Sequence, residues 1–342
     1  MLNNILQYAI KNDCSDVHII SGQQPMVRFN GDMTRIANSP ILKRDQVEKI
    51  ISSLLNEAQI EKFNKNYEID FAFELKSHVR FRANVFKTLS GPAIAFRPIN
   101  EKVKTLDEIF APKIIEELLK KRRGLIILSG PTGCGKSTTL SAMIDYINCN
   151  HSCNIITIED PIEYVHKSKK SLVSQREVGI HTNSFANALR SSLRENPDII
   201  LIGELRDLET ISLALTAAET GHLVLATLHS SSSVNAISRI IDVFAPQEQM
   251  TVRSMLANSL NAVILQRLLK TKDNSQQAAF EVMVGNSSAR NLIREDKLAQ
   301  IQSMLEIGKR HGMITMKDSI VEMLNQGLIS EETANESIAS FS

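Results

Sequence analysis

Long hydrophobic runs are missing from this sequence. No apolar stretch approaches the roughly 18 residues needed to cross a bilayer. The opening Met1-Leu2-Asn3-Asn4-Ile5-Leu6 has neither the basic start nor the apolar length of a signal peptide. The expected compartment is therefore the cytoplasm. A surplus of one charge is missing too: 39 lysines and arginines face 38 aspartates and glutamates, leaving +1. That balance argues against a broadly basic nucleic-acid binder. Aromatics, at 5% and in no basic-aromatic run, offer few platforms for stacked bases. The four cysteines, Cys14, Cys134, Cys149 and Cys153, form no C-x-x-C pair, which argues against a four-cysteine zinc site. They read as reduced thiols. What is present is ordinary globular material, 342 residues at 43% apolar and 23% charged, long enough for two domains.

The first hundred residues alternate. Val17–Ser21, Pro25–Phe29 and Asp32–Ile36 read as strands, with Asn30-Gly31 as a hairpin turn. Asp45–Asn56 has helical spacing, while Asp70–Leu75, Val79–Phe86 and Ala93–Arg97 alternate as half-buried strands do. Arg97-Pro98 and the charged stretch Asn100–Lys104 mark a linker. A helix over Asp107–Lys121 follows. Then Leu125–Leu128, Asn154–Ile158, Ile199–Ile202 and Leu223–Leu228 are almost wholly apolar and separated by helical stretches. That pattern predicts a parallel sheet covered on both faces, a doubly wound α/β core. After about Asn286 the spacing is helical.

One motif carries the chemistry. Gly130-Pro131-Thr132-Gly133-Cys134-Gly135-Lys136-Ser137 follows an apolar strand and precedes a helix, the context a phosphate-cradling loop requires. Glycines let the backbone curl so that N–H groups point at phosphate oxygens, and the helix start adds positive potential. Lys136 is positioned to meet the β- and γ-phosphates, and Ser137 to ligate Mg²⁺. Thr138 completes the nucleotide-contacting run. Two strands end in acid: Glu159-Asp160-Pro161-Ile162-Glu163 after one, Gly203-Glu204 after the other. In parallel sheets ligands sit beyond the carboxyl ends of the strands, so both clusters are expected to face the loop. Glu204 is the candidate for polarising the attacking water. Glu159 and Glu163 are candidates for Mg²⁺ or water contacts. His229, at the end of the next strand, is a candidate γ-phosphate sensor, with His222 weaker on position alone. Among the arginines, some are expected to pair with phosphate.

These residues resemble the twitching-motility, PilT-type ATPases of the type II/IV secretion ATPase superfamily, over nearly the whole chain. The likeness lies in Ser15-Asp16-Val17-His18, Gly31-Asp32, Arg80-Phe81-Arg82 and the phosphate loop. Ile158–Glu163 looks like the family's Asp box, and Asp198–Asp207 like its Walker B segment. Thr216–His222 with Thr227-Leu228-His229 looks like its His box. The resemblance implies a PAS-like α/β domain over 1–98, a linker over 99–110 and a RecA-like ATPase domain over 111–342 with C-terminal helices from about 286. It implies a homohexamer that hydrolyses ATP with Mg²⁺ and works on an inner-membrane pilus platform protein. Membrane association then comes only through partners, at the inner face of the cytoplasmic membrane, with no nucleic acid involved. It implies catalytic roles for both His222 and His229, and nucleotide contacts from Arg80, Arg82 and Arg97.

Three features favour pilus retraction over assembly or secretion. The chain is short, the tetracysteine element is absent, and Ser288-Ala289-Arg290-Asn291-Leu292-Ile293-Arg294-Glu295 resembles the retraction motors' A-I-R-N-L-I-R-E element. Ser288-Ala289 stands in place of Ala-Ile there, which removes one apolar anchor.

Overall fold

The computed structural model describes residues 1–12, 14–29, 31–75, 79–99 and 103–339. It divides into two compact units, Met1–Lys102 and Val103–Ser342.

The first unit runs α1 (Leu2–Lys11), β1 (Asp16–Ile20), β2 (Met26–Phe29), β3 (Asp32–Arg35), α2 (Arg44–Leu54), α3 (Glu57–Asn66), β4 (Glu68–Glu74), β5 (Arg80–Thr88) and β6 (Gly91–Ile99). Its six strands form one antiparallel sheet in the order β3-β2-β1-β6-β5-β4. The alternating sequence explains the packing. In β5, Phe81, Ala83 and Val85 are fully buried, while Arg80, Arg82 and Asn84 between them reach solvent. The inward residues meet Leu6 and Ala9 of α1, Val47 and Ile51 of α2 and Phe63 of α3 in one core. Phe96 of β6 meets Phe73 and Phe81 edge-on. β2 and β3 pair directly, Phe29 opposite Asp32. The expected Asn30-Gly31 turn falls partly on Asn30, outside the described residues.

The second unit begins with α4 (Ile114–Leu119), shorter than the expected helix over Asp107–Lys121. Thr105 and Glu108 close a turn of their own, each side chain bonding the other's backbone N–H. Phe110 then adopts a left-handed φ of 54°, and Pro112 prevents continuation. There follow β7 (Gly124–Ser129), α5 (Lys136–Asn150), β8 (Asn154–Glu159), β9 (Leu172–Glu177), α6 (Phe185–Ser192), β10 (Ile199–Ile202), α7 (Leu208–Glu219), β11 (Leu223–Leu228), α8 (Ser233–Asp242), α9 (Pro246–Ser259), β12 (Leu260–Lys270), β13 (Gln276–Val284), α10 (Ser287–Arg294), α11 (Ile301–Ile307), α12 (Met316–Asn325) and α13 (Glu331–Ala339).

The sheet order is β13-β12-β7-β11-β10-β8-β9, parallel except for the β12–β13 hairpin. Successive residues of each central strand feed opposite cores. Leu125 and Ile127 of β7 join one cluster with α7, α8 and α9, and Ile126 and Leu128 join another with α4 and α5. Both faces are covered, so the strands are apolar throughout. In α10, Ala289 and Ile293 are fully buried, so Ala289 remains core-facing despite its small side chain, while Ser288 is exposed.

Candidate active site

The loop after β7 takes its shape from three glycines at positive φ: Gly130 at 147°, Gly133 at 79° and Gly135 at 87°. At Gly130 space also forbids a side chain, since a Cβ there would sit 2.4 Å from the Gln266 carbonyl oxygen of β12. Lys136 opens α5 and is buried. Its Nζ donates to the carbonyls of Gly130 at 2.7 Å and Pro131 at 2.9 Å, and lies 3.4 Å from Nδ1 of His229. Burial pushes the Lys136 ammonium below its ordinary pKa, while Cys134, Glu204 and Glu163 pull the other way.

Ser129, the last residue of β7, is wholly buried, and its Oγ accepts from the Ser230 N–H at 3.0 Å and meets Ser230 Oγ at 2.7 Å. These bonds tie the loop's start to the residue after His229. His229 in turn sets Nε2 3.5 Å from Glu204 Oε1. Burial first, then the Lys136 charge, lowers the His229 pKa, so its ring is neutral at neutral pH. Glu204 also accepts from Arg206 Nε at 2.7 Å and is mostly shielded from solvent. Lys136, His229 and Glu204 thus form one line of contacts at the carboxyl edge of the sheet.

The acid cluster after β8 is arranged differently. Glu163 is exposed and close enough to act on Lys136. Glu159 Oε1 accepts from Thr157 Oγ1 at 2.6 Å and from Gln175 Nε2 at 3.1 Å. Burial drives its pKa up to about 7, against those two hydrogen bonds. Both donors meet the same oxygen, Oε1. Ser137 and Thr138 lie in the first turn of α5, Ser137 half-exposed and Thr138 Oγ1 2.9 Å from Tyr164 OH. Tyr164 thereby fastens the segment after β8 to the start of α5.

His222 is not brought to this loop. It precedes β11, and Leu223 is in register with Gly124 at the start of β7, whereas Leu228 is in register with Ser129 at its end. The whole length of the strand, roughly 15–20 Å at ~3.3 Å per residue, separates His222 from the loop of its own chain. His222 instead caps the amino edge, with Nδ1 3.0 Å from the Ala217 carbonyl. The motif that contains both histidines spans the two ends of one strand, so His222 and His229 stand at opposite edges of the sheet. In the first unit, Arg82 and Arg97 face each other across β5 and β6. Arg97 donates to Asp16 at 2.9 Å, and Arg82 lies 3.7 Å from Asp70. Arg80 is two residues away on the same face.

Residue reasoning had passed over Gln266, Tyr164 and Ser129. Gln266 is fully buried in the apolar strand β12. Its Nε2 donates to the Cys134 carbonyl at 2.7 Å, and its Oε1 accepts from Thr139 Oγ1 at 2.7 Å. A lone glutamine inside Leu-Asn-Ala-Val-Ile-Leu-Gln-Arg-Leu-Leu was the signal that could have found it.

A doubly wound parallel sheet, a phosphate loop opening α5 and a carboxylate at the neighbouring strand ends together define a P-loop ATPase with a RecA-like core. The chain belongs to the family described as "Type II/IV secretion system protein", matched over residues 1–340. It is 52% identical, over 91% of its length and 83% of the relative's, to "Twitching motility protein" of Neisseria gonorrhoeae. It is 48% identical, over 98% of its length and 97% of the relative's, to "Type IV pilus retractation ATPase PilT" of Pseudomonas aeruginosa. Among solved structures it is similar to the pilus retraction motor PilT with bound ADP, at TM-score 0.91 and 43% identity over 97% of this chain and 95% of that one. Among the described residues no helix is long and apolar enough to cross a membrane.

Proposed function

We propose that this chain works as a homohexameric ring motor that spends ATP, with Mg²⁺, on retracting a type IV pilus. It acts from the cytoplasmic side of the inner membrane, on a platform protein embedded there. The observation that carries the reading is the Lys136–His229–Glu204 line beside a glycine-shaped phosphate loop. The two relatives of similar length, named for twitching motility and pilus retraction, supply its direction.

In this reading the N–H groups of Gly130 to Ser137 take the β-phosphate, and Thr138 flanks them. Lys136 leaves the Gly130 and Pro131 carbonyls for the β- and γ-phosphates. Glu204 orients and polarises the attacking water, and neutral His229 holds Glu204 through Nε2–H while its Nδ1, an acceptor, meets the phosphate only through the Lys136 ammonium. Mg²⁺ would sit on Ser137 Oγ and the nucleotide's own phosphates, neutralising their charge. Glu163 adds negative potential near the cation, and Glu159, whose two donors both meet Oε1, offers Oε2 to Mg²⁺ or its water. Arg80, Arg82 and Arg97 supply further phosphate contacts in the assembled ring. His222 has no part in this chain's own loop.

The test has two levels. In purified protein, Glu204→Gln should keep ADP affinity within twofold and lose roughly 10²-fold in ATP turnover. Undiminished hydrolysis removes Glu204 from its role. In cells, deletion of the gene should leave surface pili in place and abolish twitching. Loss of the pili overturns retraction in favour of assembly.

A further inference from the structure

Gln266 lies where β12 passes the end of β7. The register with β7 ends at Leu265 opposite Ser129, so on that side Gln266 is the first β12 residue to meet the loop, while on the other it stays paired with Phe280 of β13. Ile264 and Ala262, two and four residues before it, pack in the apolar cluster that contains α5. Gln266 continues that face as a polar residue at the point where α5 begins.

Each polar atom of its side-chain amide is used. Oε1 accepts from Thr139 inside α5, and Nε2 donates to the Cys134 carbonyl inside the loop. The second bond has a directional consequence. A trans peptide plane carries its C=O and the following N–H on opposite edges. With the Cys134 carbonyl held toward β12, the Gly135 N–H is turned away from β12, toward the side where phosphate oxygens are met. The two flanking glycines are fitted to the same residue. A Cβ at Gly130 would meet the Gln266 carbonyl oxygen at 2.4 Å, and one at Gly135 would meet Gln266 Nε2 at 3.0 Å.

We propose that Gln266 is a positioning residue that holds the phosphate loop in its nucleotide-accepting form before nucleotide arrives. It touches no phosphate; it acts by fixing one peptide plane and the start of α5. The inference rests on reading Gly130–Ser137 as the nucleotide loop. Without Gln266 only a fraction of empty loops is competent, and apparent affinity falls by that fraction while the bound complex reacts normally.

The test uses the full chain. Gln266→Leu removes both bonds. Gln266→Glu keeps the acceptor for Thr139 and removes the donor to Cys134. Gln277→Leu is the matched control, because Gln277 Nε2 also donates to a carbonyl, that of Ile109, away from the loop. The expected result is a rise of roughly tenfold in KM for ATP and in Kd for ADP in both Gln266 variants, with kcat within twofold. Gln277→Leu should leave KM unchanged. A merely structural role would lower the melting temperature and the active fraction without moving KM. Unchanged KM and Kd in either folded Gln266 variant overturns the proposal, and the glutamate variant serves if the leucine variant does not fold. Wild-type protein that binds no ADP would instead overturn the nucleotide reading itself.

Discussion

The two sheets of this molecule use the same strand residues in opposite ways. The N-terminal sheet buries one face and shows the other, so β5 reads Arg80-Phe81-Arg82-Ala83-Asn84-Val85, out and in by turns. The ATPase sheet buries both faces, and β10 is Ile199-Ile200-Leu201-Ile202 without a break. The first design leaves a whole face of polar side chains for contact. The second leaves only edges, and its chemistry gathers at the carboxyl edge, where buried strands stop and polar backbone begins.

Substitutions sharpen that contrast. The largest effect is expected at the edge: Lys136→Ala should cut ATP turnover by on the order of 10³-fold with little change in melting temperature. Next come the interiors. Phe81→Ala in the first sheet should cost about 3–5 kcal/mol in chemical denaturation. Its neighbour Arg82→Ala, on the open face, should cost less than about 1 kcal/mol. In the second sheet no such alternation is expected. Ile200→Ala and Leu201→Ala, adjacent in sequence but in opposite cores, should each cost about 2–5 kcal/mol. A tolerant member of that pair would break the comparison.

A smaller effect should follow pH. Glu159 has its folded pKa raised from 4.5 to about 7, so the folded state binds a proton that the unfolded chain releases in that window. Its contribution to stability is therefore lost as pH rises from 4.5 through about 7. Glu159→Gln should gain about 1–3 kcal/mol over the wild type at pH 8, and the gain should vanish below pH 4.5. A difference independent of pH would refute the assignment. Smallest of all, His222→Ala should leave KM for ATP unchanged, because that side chain sits at the opposite edge from its own loop.

Legibility in the sequence followed the same divide. The four apolar runs are β7, β8, β10 and β11, because a strand buried on both sides has no competing reading between helices. The alternating strands of the first sheet were equally plain. β9 was not, since Leu172–Glu177 is an edge strand whose polar residues match no buried pattern. β12 escaped because a long apolar segment carries no period to separate strand from helix. α1 was missed because Met1 offers no capping side chain, and α3 because its start signal, the Asn56–Gln59 capping box, lies where the preceding helical stretch ends. At the site, the loop and the acid-ended strands were readable as local patterns. Gln266 and Ser129 were not, because their partners Cys134 and Ser230 lie more than a hundred residues away and become neighbours only when the sheet forms. Nor did the motif that joins His222 to His229 say that the two lie at opposite ends of β11.

Lys136 resting on the Gly130 and Pro131 carbonyls has a consequence for the end of the catalytic cycle. Those two oxygens are internal rivals of the phosphates for one ammonium. When the γ-phosphate leaves and the pull on Lys136 weakens, the carbonyls stand ready to reclaim it. A motor's pace depends on how readily it lets go of spent fuel, and this loop carries its own means of eviction.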